Sequence, residues 1–82
     1  MKKLAAAGNT LVPALLALEA AGYVVTRSGD TLTAEKDGCV FVADDPLAVL
    51  GLTALVEARG WDTWQASDAE IDRMLARFGW SG

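Results

Sequence analysis

The chain has 82 residues, which is material for one core only, because a chain of this size buries little more than ~60% of the surface its unfolded form exposes. Hydrophobic residues make up 52% and charged residues 22%, a balance that excludes intrinsic disorder and permits folding without metals or disulfides. The net charge of -4 disfavours a general affinity for phosphate backbones, which depends on lysine and arginine displacing counterions, and favours a basic partner surface instead.

At the start of the chain, Lys2 and Lys3 followed by the apolar residues 11–18 imitate a secretory signal. Asn9, Thr10, Pro13 and Glu19 break the imitation, so the expectation is a segment that belongs to the fold. Residues 10–21 then read as a first helix. Leu11, Val12, Leu15, Leu16 and Leu18 recur at helical spacing, Asn9 or Thr10 can cap its start, Pro13 falls in the tolerant first turn, and Gly22 suits the stop. With Glu19 as its only charge, this helix should be either the buried centre of the fold or a helix with one face kept for a partner.

Residues 23–27, 31–36 and 39–43 are short runs rich in β-branched side chains, separated by Gly29-Asp30 and Asp37-Gly38. Both separators predict two-residue hairpin loops, type II′ for Gly-Asp and type I′ for Asp-Gly. Loops of that length set the register: Arg27 faces Leu32, Val25 faces Ala34 and then Phe41, Tyr23 faces Lys36 and then Cys39, and Leu32 also faces Ala43. Val25, Leu32, Ala34, Phe41 and Ala43 therefore share the core face. Val24, Thr26, Thr33, Glu35, Val40 and Val42 share the other, which is either an interface or the floor beneath the third helix.

Asp45-Pro46 is a strong helix start, the carboxylate capping free amides and the proline taking the first helical position. Leu47, Leu50, Leu52, Leu55 and Val56 carry this second helix to about Ala58, and Gly60 suits its stop. Gly51 in its middle, a residue that weakens helices, suggests a close crossing there. Ser67 and Glu70 have the spacing of a capping box, followed by Ile71, Met74, Leu75 and Phe78 on one face of a third helix whose other face bears Asp72, Arg73 and Arg77. The fold class is α+β: a three-stranded antiparallel meander packed against helices in the order α-β-β-β-α-α, one domain over residues 1–82.

Histidine is absent, which removes the commonest general base, the commonest transition-metal ligand and every Ser-His or Cys-His nucleophile pair. Asp44 and Asp45 read as a solvated residue beside a cap, and Asp30 and Asp37 as turn residues. Cys39, the sole cysteine, has neither an adjacent base nor a helix N-terminus to activate it and reads as a small strand residue. A lone thiol forms no intramolecular disulfide and fits a reducing compartment, the cytoplasm by default. The glycines lack the spacing and the lysine of a phosphate loop. No cofactor, metal or enzymatic activity is expected, and no stretch approaches the ~20 apolar residues that cross a bilayer.

In element order the chain is similar to the double-stranded-RNA-binding domain, with the difference that the lysine cluster opening that family's last helix is replaced here by Asp44-Asp45-Pro46. Residues 15–27, a leucine-rich helix running into Gly22-Tyr23 and then Arg27, resemble the small HicA-type mRNA-interferase toxins. The turn that follows reads Ser28-Gly29-Asp30-Thr31 in place of that family's Gly-Ser-His, so the resemblance implies a relative without the nuclease mechanism.

The leading expectation is a small acidic non-catalytic protein-interaction module of inhibitor, immunity or adaptor type, or a homo-oligomer. Its candidate contact residues are Val24, Glu35, Val40 and Val42 on the second sheet face and Trp61, Trp64 and Trp80, since tryptophan is enriched where proteins grip one another. The two connector tryptophans have a second reading as rings that seal the end of a small core. The alternative function is nucleic-acid binding or diverged toxin-like RNA processing through Lys2, Lys3, Arg27 and Lys36, which the number and scatter of basic residues disfavour.

Overall fold

The computed structural model describes residues 1–79, and over them the chain is an α+β structure with one three-stranded antiparallel sheet. A 3-10 turn at Gly8–Thr10 leads into α1 (Leu11–Ala20), followed by β1 (Val24–Ser28), β2 (Thr31–Lys36), β3 (Cys39–Ala43), α2 (Pro46–Arg59) and α3 (Asp68–Phe78). The order α-β-β-β-α-α and the meander β1-β2-β3 are those the sequence predicts.

Hairpin chemistry sets the register. Gly29 has φ 61°, the position that a type II′ turn gives to glycine, and Asp37 and Gly38 have φ 53° and 78°, the pair of left-handed residues that a type I′ turn requires. Val25 pairs with Ala34, Ala34 with Phe41, Arg27 with Leu32 and Leu32 with Ala43, as expected from two-residue loops.

The helix ends follow local chemistry, with one exception. Asp45 accepts a bond from the Ala48 amide at 2.9 Å with Pro46 behind it. At the end of α1, the Tyr23 amide donates to Leu18 O and the Gly22 amide to Glu19 O, a Schellman closure that needs the φ of 95° at Gly22. Lys36 Nζ reinforces that end by donating to Ala21 O at 2.6 Å while lying over the Tyr23 ring. The start of α1 is the exception: Thr10 is itself helical and its hydroxyl donates to Ala7 O, closing the 3-10 turn rather than capping α1.

α1 packs on β1 and α2, and α2 packs on β2 and β3, so both helices lie on one face of the sheet. Leu18 and Val49 from the helices meet Ala34 and Phe41 from the strands, all four buried, with Val25, Leu32 and Ala43 packed around them. Ala34, in the middle of the central strand, is small enough to admit the helices closely. Of the two alternatives for α1, the buried centre is excluded, because only Ala14 and Leu18 are buried while Val12 and Leu16 face outward. One expectation is corrected. Gly51 marks no close crossing: a Cβ built there meets nothing within 4 Å.

α3 is closed by the expected capping box, the Glu70 amide donating to Ser67 Oγ at 3.2 Å and the Ser67 amide to Glu70 Oε1 at 2.9 Å. It buries no residue. Its link to the body runs through Arg59, which donates to the carbonyls of Trp64 and Gln65 and lies 3.9 Å from Glu70 Oε1.

Candidate functional site

The second face of the sheet is open. Val24, Val40 and Val42 are 67%, 47% and 52% exposed, and α3 does not cover them. Period-two alternation puts them there, because Val25 and Phe41 are drawn inward and their neighbours must point out. Pairing then assembles them: Val24 stands opposite Glu35, which stands opposite Val40, and Thr26-Thr33-Val42 forms the next row. One carboxylate thus lies between two valines in an otherwise uncharged patch.

The same two valines of β3 are also open along the backbone. In a two-residue hairpin the residues flanking the loop exchange hydrogen bonds, and bonded pairs alternate from there. Cys39, Phe41 and Ala43 bond to β2, so the N–H and C=O groups of Val40 and Val42 are directed away from it at the sheet edge.

Around that edge the apolar surface continues. Val40, Val42, Leu52, Leu55, Trp61 and Trp64 line a groove of about 180 Å3 between β3 and α2. One side of the Trp61 indole stacks on Phe41, as the sealing reading expects, and half of the residue stays in solvent. Trp64 is also exposed. The structure therefore joins Val24, Glu35, Val40 and Val42 on one face and brings Trp61 and Trp64 to its β3 border. Trp80 lies outside the described residues. The sequence places Ile71 and Met74 on one face of α3, and both are exposed; nothing in their spacing distinguishes a stripe that is covered from one that is not.

Arg27 and Lys36, two of the basic residues considered for nucleic acid, stand apart on the sheet. Arg27 pairs with Leu32, four residues along β2 from Lys36, a separation of about 13 Å. Arg27 Nε donates to Gly29 O, and Lys36 holds the end of α1. Among the described residues no three carboxylates, thiols or imidazoles assemble a metal site. Cys39 is half-buried with its thiol directed at Asp37 O, 3.9 Å away. No described helix is long and apolar enough to cross a membrane.

Compared with protein-family models, with curated proteins and with solved structures, the chain matches none, so neither resemblance drawn from its sequence gains support.

Proposed function

We propose that this chain is a small non-catalytic protein-interaction module, of inhibitor, immunity or adaptor type or acting by self-association, and that the open sheet face is its contact surface. The observation that carries the reading is the row Val24-Glu35-Val40 with Val42 beside it, an exposed apolar patch on rigid strands. Strands hold these side chains in fixed positions before binding, which lowers the ordering cost of association. The net charge of -4 steers the module toward a basic partner, and the unpaired thiol of Cys39 suits the cytoplasm.

Affinity capture from native lysate, with the wild-type chain and a Val24→Thr/Val40→Glu/Val42→Thr variant side by side, tests the reading. A protein, or a second copy, retained by the wild type and lost by the variant supports it. Equal retention by both, or retention by neither, overturns the assignment of this face.

A further inference from the structure

We propose that β3 takes up an added strand from its partner, an extended segment with alternating apolar side chains and basic residues at both ends. This rests on the module reading above and names the chemistry of the partner that meets its surface.

The backbone of β3 is laid out for such a strand. Because Cys39, Phe41 and Ala43 bond to β2, Val40 and Val42 each turn one N–H and one C=O outward. The two sets of groups are about 6.8 Å apart along the strand, the repeat that an added strand presents in return. No backbone bond from Val40 or Val42 reaches another described segment of the chain. The edge is also unguarded, since Cys39–Ala43 contains no charge, no proline and no bulge. At the other edge of the sheet, β1 turns out the groups of Val25 and Arg27, and a charged side chain on an edge strand deters addition.

The groove between β3 and α2 lies where an added strand would put its side chains. Those opposite Val40 and Val42 prolong the open face, extending the row Val24-Glu35-Val40. The side chain between them points to the α2 side and enters the groove against Leu52, Leu55 and Trp64. Main-chain bonds then supply affinity, and the uncharged lining of the groove selects an apolar residue at that position.

Charge decides what flanks the apolar stretch. Asp37 precedes β3, Asp44 and Asp45 follow it, and Asp62 stands between the two groove tryptophans, all of them exposed. Lys36 and Arg59 are engaged elsewhere, Lys36 on Ala21 O and Arg59 on the carbonyls of Trp64 and Gln65 and beside the Glu70 carboxylate. Basic residues at both ends of the added strand meet these aspartates with opposite charge. A second copy of β3 fits badly by the same measure. Antiparallel pairing centred on Phe41, the middle of the strand, sets Asp37 of each copy against Asp45 of the other, a like-charge contact at both ends.

The test titrates the full chain with a synthetic peptide of alternating valine and threonine that carries lysines at each end, read by calorimetry and by hydrogen exchange of the β3 amides. The Val40 and Val42 amides should exchange readily in the chain alone and slow at least about tenfold with the peptide, whereas the Phe41 amide, bonded to β2, stays protected throughout. Val42→Pro removes an outward N–H and no bond to β2, so it should weaken binding about tenfold while circular dichroism verifies the fold. Methylating the peptide amides that face β3 should abolish binding with every side chain in place, and aspartates in place of the lysines should weaken it at least about tenfold at low salt. No binding at about 1 mM peptide, bound-state Val40 and Val42 amides that still exchange readily, or equal binding of the methylated or the aspartate-ended peptide overturns the proposal. Protection of those amides in the chain alone that grows with its concentration overturns it as well, since a second copy then holds the edge. Failure here beside a lysate partner that the valine variant loses refutes strand addition alone; failure here with no partner retained refutes the module reading with it.

Discussion

The indole of Trp61 stacks on the ring of Phe41 with centroids 5.3 Å apart and planes 22° from parallel, so a connector residue closes the end of the core that β3 opens. Tyr23, just before β1, meets Phe41 edge-on at 6.0 Å, which makes Phe41 the hub of a three-ring cluster. Phe41→Ala should cost about 3–5 kcal/mol, as expected for emptying a buried aromatic site. Trp61→Ala, which removes a half-exposed lid, should cost about 1–2 kcal/mol. Urea unfolding followed by circular dichroism measures both, and a larger loss for Trp61 than for Phe41 would reverse the assignment of hub and lid.

Gly51 sits in α2 with open space where a side chain would go. Gly51→Ala should therefore stabilise the chain by about 1 kcal/mol, since alanine lowers the backbone entropy lost on folding and meets no obstacle. Thermal denaturation should show the melting temperature rising by about 4–8 °C. A fall would indicate that a partner or a second copy packs closely there.

The two sheet faces should respond in opposite ways to loss of apolar character. Val42→Thr on the open face should change monomer stability by no more than about 0.5 kcal/mol. Val49→Ala, at a fully buried site, should cost about 2 kcal/mol. Chemical denaturation at a concentration low enough to keep the chain dissociated separates the two, and a loss at Val42 equal to that at Val49 would mean that the open face is covered within one chain.

The start of α3 should be sensitive to acid. The Glu70 carboxyl is held below the usual glutamate range, first by the Ser67 amide that it accepts, then by the Ser67 hydroxyl, with smaller help from the charges of Arg59 and Arg73. A lowered folded value means that the unfolded chain binds the proton more readily, so the contribution is complete above the ordinary glutamate range and is lost as pH falls through the lowered value. Backbone chemical shifts of residues 68–74 should move toward coil values on acidification. Ser67→Ala should weaken this helix start by about 1 kcal/mol at neutral pH and blunt the acid response.

The sequence by itself determined the local structure. Glycine and aspartate at the hairpin loops, Asp45-Pro46 at α2 and Ser67 with Glu70 at α3 act on neighbours a few residues away, and their chemistry dictates turn type, register and helix start without reference to the rest of the chain. Register followed from loop length, and with it the grouping of Val24, Glu35, Val40 and Val42 on one face. Periodicity says which side chains share a face and not what lies against it. Whether Ile71 and Met74 covered those valines depended on the direction α3 takes from the connector, in which Arg59 bonds to two carbonyls that any residue would supply. The stacking of Trp61 on Phe41, the outward face of α1 and the open space at Gly51 were likewise decided by tertiary placement, because each depends on a neighbour far away in the chain or on the lack of one.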